Sequence, residues 1–96
     1  MDWKAIVKHL RERCPIRKRL VVCLKSLKAG LDGITHLSPS ERTITIIVNS
    51  KKPWPTQMDT LVHEWGHALW MDEMDWHDDR WGKNHARAYR ALKEVA

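Results

Sequence analysis

The chain has no phenylalanine, one tyrosine and two cysteines in 96 residues, whereas tryptophan occurs six times. The cysteines, Cys14 and Cys23, form no CxxC pair, and Cys23 lies within an apolar run. That scarcity argues against a disulfide scaffold or a four-cysteine zinc site, and the expectation is two reduced thiols in a cytoplasmic protein. No stretch reaches the ~18 consecutive apolar residues of a spanning helix, so no membrane partner is expected. The segment MDWKAIVKHLRER is charged throughout and lacks the apolar core of a secretory signal. There is no internal repeat and no low-complexity segment. One domain over residues 1–96 is expected, near the lower size limit for a single hydrophobic core. A domain this small favours a surface groove over a deep pocket.

Charge is unevenly distributed about the net value of +5. Residues 1–28 carry nine Lys or Arg against two acids, whereas residues 57–85 carry two against seven. The basic N-terminal third, with Arg17, Lys18 and Arg19 at its centre, is a candidate surface for nucleic acid or an acidic partner. The simpler reading is a solvated helix face and a strand edge rich in Lys and Arg.

Periodicity orders the elements. Trp3, Ile6, Val7 and Leu10 recur at helical spacing and predict an amphipathic helix over residues 2–13, ended by Pro15. Arg19–Leu27 (RLVVCLKSL) and Thr43–Asn49 (TITIIVN) read as strands. A shorter one, Ile34–Leu37, is set off by Gly30 and Asp32-Gly33. In the clearest strand Ile44, Ile46 and Val48 face one way, and Thr43, Thr45, Ile47 and Asn49 the other. After the stiff KKPWP loop, Thr56 and Asp59 form a capping box that predicts a helix to about Met71. A polar break, Asp72–His77, then precedes a last helix over 80–94 with Trp81, Ala88, Tyr89 and Leu92 on one side. The fold class is α+β.

Within the predicted middle helix lies LVHEWGHALW, whose His63, Glu64 and His67 match HExxH. Positions four apart project from one helix face, so both imidazoles can reach one ion. Glu64 lies about 100° round the helix from His63, where it can meet a water at that ion without ligating. A catalytic zinc site needs this combination of imidazoles, an open position and a nearby carboxylate. The alternative is a pair of ordinary helix histidines. A third ligand is required, and the extended motif HExxHxxGxxH fails because Trp70 and Glu73 occupy its Gly and His positions. His77 is the best candidate, followed by His85 and then by Asp78, Asp79 or Glu73 as oxygen ligands.

LVHEWGHALW followed by HDDRWGKNHARAYRAL resembles the SprT-like zinc metallopeptidases, which include small members from phages and bacteria. The resemblance spans about Ile44 to Tyr89. It implies a minimal zincin fold in which a small sheet borders the active-site cleft and two packed helices hold Zn2+. It also implies that the third ligand is the histidine of the second motif, which falls on His77, and that Trp81 packs behind the site. The family's Gly-Pro after that histidine is replaced here by Asp78-Asp79. The C-terminal zinc ribbon of larger members has no counterpart, since no cysteine follows Cys23.

The expected activity is hydrolysis of peptide bonds in a protein or peptide substrate, with Glu64 as general base and the zinc as Lewis acid. His85 or Tyr89 is a candidate second-shell group or oxyanion donor, although packing is the simpler role for both. The strand bearing Thr43, Thr45 and Ile47 is a candidate edge for pairing with an extended substrate. The competing expectation is a non-catalytic zinc-stabilised module that binds nucleic acid or a host protein through the basic N-terminal third. An intact Glu64 is superfluous to such a module.

Overall fold

The structure, a computed structural model, describes residues 2–38, 40–73 and 87–93. Helix α1 (Trp3–Arg13) starts where Asp2 caps it, its carboxylate accepting from the Ala5 N–H at 2.8 Å. The helix closes at Cys14, directly before Pro15, with the Cys14 N–H on the Leu10 carbonyl. Three strands follow, β1 (Arg19–Lys25), β2 (Gly33–Ser38) and β3 (Thr43–Asn49), and then the long helix α2 (Trp54–Glu73). Residues 87–93 are helical and are labelled α3. The α+β class expected from the sequence is observed. No helix among the described residues is long and apolar enough to cross a membrane.

The sheet order is β1-β3-β2, with β1 parallel and β2 antiparallel to β3. This corrects one expectation. Thr43, Thr45 and Ile47 stand on the central strand, whose backbone is paired on both sides, so β3 offers no edge to a substrate. Central placement goes with burial, because Ile44, Ile46 and Val48 are fully buried and β3 is the most buried strand of the three. Ile44, Ile46 and Val48 share one face as expected. Asn49 is buried too, because its amide organises the neighbouring loops. Its Oδ1 accepts from the Leu27 and Lys51 N–H groups, and its Nδ2 donates to the Leu31 carbonyl at 2.7 Å.

Helix α2 begins three residues earlier than the capping box at Thr56 suggests. The Gln57 N–H bonds the Pro53 carbonyl, and Pro55 sits in the first turn, where its missing N–H costs nothing. The far end also overruns the expected break, reaching Glu73. The apolar side of α2 (Leu61, Val62, Trp65, Ala68 and Leu69) packs in one core with Ile44, Ile46 and Val48 of β3. Ile6 and Leu10 of α1 and Ala88, Ala91 and Leu92 of α3 complete that core. Trp65 is wholly buried, and its indole N–H donates to the Cys14 carbonyl at 3.0 Å, tying the end of α1 to the middle of α2. Both cysteines are free thiols.

The last turn of α2 is clamped to the chain before β1. Asp72 is buried, and its carboxylate accepts from the backbone N–H groups of Arg17 (3.0 Å) and Lys18 (2.9 Å). The Lys18 ammonium donates to the Asp72 carbonyl and lies 3.8 Å from its carboxylate. Burial pushes the Asp72 carboxyl up, but the two N–H donors and the Lys18 and Arg17 charges outweigh it and hold the group below its ordinary 3.8. A lowered folded-state value contributes stability above the unfolded value, which is lost as pH falls through the folded one. Asp72→Asn is therefore expected to cost about 3 kcal/mol at neutral pH, since at the buried Asp72 position the amide presents a donor to one of the two N–H donors. Denaturant titrations of both proteins should show that gap narrowing as pH falls below 3.8.

Candidate metal centre

The apolar positions of α2 dictate where its polar groups point. With Leu61, Val62, Trp65 and Ala68 turned into the core, His63 and His67 face outward one turn apart, His63 exposed and His67 half-buried. Their Nε2 atoms are 3.2 Å apart, and the rings meet edge to face at 78° with centroids 4.8 Å apart. Two imidazole nitrogens bound to one tetrahedral zinc at ordinary Zn–N lengths are about 3.3 Å apart. The pair thus fits the bite of a zinc ion with little rearrangement. Binding requires both Nε2 lone pairs, which places the ring protons on Nδ1.

Glu64 occupies the boundary between the core side and the outward side of α2. It is only 7% exposed, and its carboxylate turns toward β2, where the Thr35 hydroxyl donates to Oε1 at 2.9 Å. The same hydroxyl lies 3.3 Å from the Glu64 carbonyl. Close approach of strand and helix makes this contact possible. A Cβ on Gly33 would sit 2.5 Å from the Thr60 methyl and 2.9 Å from the Ile47 carbonyl oxygen, so any larger residue there would push β2 off α2. Sequence reasoning missed both Gly33 and Thr35. The turn signal at Asp32-Gly33 was visible, but nothing in a short strand announces a partner 29 residues away.

A groove of about 670 Å³ opens beside these residues, lined by Asp32, Gly33, Thr56, Asp59, Thr60, His63, Glu64 and Tyr89. Tyr89, expected mainly to pack, is instead 39% exposed on the groove wall, with the Lys93 ammonium 5.1 Å from its ring centroid. His63, Glu64 and Tyr89 are therefore brought together, whereas Thr43, Thr45 and Ile47 belong to the sheet interior. His77, His85 and Trp81 lie outside the described residues, as do the alternative ligands Asp78 and Asp79. Among the described residues no group of three or more His, Cys, Asp or Glu gathers at one point.

A second concavity, of about 500 Å³, is lined by Arg17, Lys18, Arg19, Glu41, Arg42 and Asp72. Arg42 joins it from the β2–β3 turn, with its backbone in the left-handed region at φ 52°. Lys18 is committed to Asp72 and is only 15% exposed in its side chain, so part of the basic N-terminal third holds the fold together.

No family model, curated protein or solved structure matches this chain.

The histidine pair makes a direct prediction. Elemental analysis should find one zinc per chain after reconstitution. His63→Ala and His67→Ala should each weaken zinc by roughly a hundredfold or more, since loss of a ligand exceeds the usual cost of losing its outer partner. His77→Ala should match them and His85→Ala should retain the metal.

Proposed function

We propose that this chain is a zinc-dependent peptidase of the SprT-like kind, with His63, His67 and His77 holding the metal and Glu64 acting as general base. The observation that carries this reading is the pairing of two histidine nitrogens at zinc-bite distance with a buried, oriented carboxylate on the same helix, beside a groove lined by His63 and Glu64. A helix histidine pair with no metal role has no need of Glu64 in that position. When bound, zinc supplies a Lewis acid that makes water acidic enough to deprotonate near neutral pH and polarises the scissile carbonyl.

The chain's own residues supply the rest. Glu64 accepts a proton from water as the water oxygen adds to the carbonyl carbon, and then delivers that proton to the departing amine. One water is consumed, the C–N bond breaks, and a carboxylate and an amine leave. The hydroxyl of Tyr89, which also lines the groove, is the proposed donor to the oxyanion, with His85 as the alternative.

The substrate edge is reassigned from β3 to β2. Asn49 N–H bonds the Asp32 carbonyl directly across the ladder. In an antiparallel pair the hydrogen-bonded positions alternate. With the observed register, Ile34, His36 and Ser38 direct their backbone groups at β3, and Gly33, Thr35 and Leu37 direct theirs away from it. An extended peptide added to that edge would run past Glu64.

Glu64→Gln tests the chemistry. Zinc content and melting temperature should stay within error, while kcat on an unfolded protein substrate falls by roughly 10²–10⁴-fold. Full activity in that variant, prepared free of wild-type enzyme, removes Glu64 from the reaction.

A second reading, a zinc-stabilised module that holds nucleic acid, is supported by the concavity where Arg17, Arg19 and Arg42 meet. Arg19→Glu with Arg42→Glu separates the two, because both leave Lys18 and the Asp72 clamp intact. The module reading expects a salt-sensitive affinity for single-stranded DNA that this double variant loses; the peptidase reading expects hydrolysis unchanged by it.

A further inference from the structure

We infer that Thr35 is the positioning residue for Glu64: its hydroxyl fixes one carboxylate oxygen so that the other is presented to the groove. The inference rests on the peptidase reading and adds to it a residue outside both sequence motifs. Thr35 stands opposite Ile46 in the register, and Ile46 is buried against α2, so the Thr35 side chain shares the face that meets the helix. Its Oγ1 lies 2.9 Å from Glu64 Oε1 and has one proton to donate, with the Glu64 carbonyl a more distant second acceptor at 3.3 Å. Among the described residues Oε2 has no hydrogen bond, which leaves it as the oxygen able to take a proton.

A glutamate has three side-chain torsions, and one mobile on a helix surface would spend little of its time aimed at a reacting water. Here the restraint comes from both ends. Gly33 admits the strand close to the helix, its missing Cβ lying 3.4 Å from Glu64 Cγ, and Thr35 holds the terminal oxygen. A charge-assisted bond of this kind is stronger than a neutral one, and it is shielded because Glu64 is almost wholly buried. Thr35 also sends its own backbone N–H and carbonyl to the edge of β2 that faces away from β3. One residue thereby ties the seat of an extended substrate to the orientation of the base.

The test compares wild type, Thr35→Val and Thr35→Ser in full-length protein. Val keeps the branched shape and removes the donor; Ser keeps the donor and loses a methyl. In zinc-loaded enzyme, kcat should fall roughly ten- to hundredfold in the Val variant, the range expected for a misplaced catalytic group. KM, zinc content and melting temperature should be nearly unchanged, and Ser should recover most of the rate. An independent readout uses metal-free protein labelled with [13C]glutamate at one neutral pH, the Glu64 carboxyl resonance being assigned through Glu64→Gln. That resonance should be set apart from the other glutamates in wild type and Ser, and should collapse toward them in Val. Wild-type kcat in the Val variant, an unmoved resonance, or a loss that Ser does not rescue overturns the role of Thr35 and leaves the peptidase reading standing. A protein whose resonance responds as expected, and which binds zinc but cleaves nothing, upholds the Thr35 contact and overturns the peptidase reading.

Discussion

The packing of α2 across β3 is the constraint from which the rest of the architecture follows. Leu61, Val62, Trp65 and Ala68 lie against the fully buried Ile44, Ile46 and Val48, and this contact fixes the rotation of the helix about its own axis. Rotation decides everything polar on α2. His63 and His67 must face outward, and Glu64, about 100° from His63, must fall on the seam between core and solvent. A carboxylate on that seam is nearly desolvated, and it needs a donor. The neighbouring strand provides one in Thr35.

The ends of α2 are held by different means. Its start is tied to the loops around Asn49 through Gln57, whose side-chain amide donates to the Lys52 carbonyl, and its end by the Asp72 clamp on Arg17 and Lys18. Trp65 bonds the Cys14 carbonyl between them. In a domain near the lower size limit, such anchors matter because the core alone leaves a small margin of stability. They also explain where part of the basic charge goes. Lys18 neutralises a buried acid, so charge counted along a sequence overstates what is offered to a polyanion.

Order in the sheet is equally consequential. Placing the most buried strand in the middle protects its backbone from solvent and, among the described residues, leaves β1 and β2 as the edges. The edge that borders the groove is β2, the shortest and least apolar strand, and it carries both the glycine that permits close approach and the threonine that meets Glu64. Among the described residues β2 pairs only with β3, and the hydrophobic layer beneath it stays covered.

Much of this was legible in the residue order. Period-2 alternation marked β3 to its exact ends, the spacing of Trp3, Ile6, Val7 and Leu10 marked α1, and HExxH within a helical pattern implied two histidines on one face. Those are local properties, set by backbone geometry and by which side of an element is apolar. The helix start at Trp54 was misread because the Thr56–Asp59 pattern competes with a proline first turn, and local chemistry permits either. Strand order, the Asp72 clamp, the place of Tyr89 on a groove wall and the Thr35–Glu64 bond could not be read, because each joins segments distant along the chain. Local sequence determined which faces exist, and long-range packing decided which of them meet. A hydroxyl on one strand becomes a partner for a helix carboxylate only when a glycine lets the two backbones close to within reach.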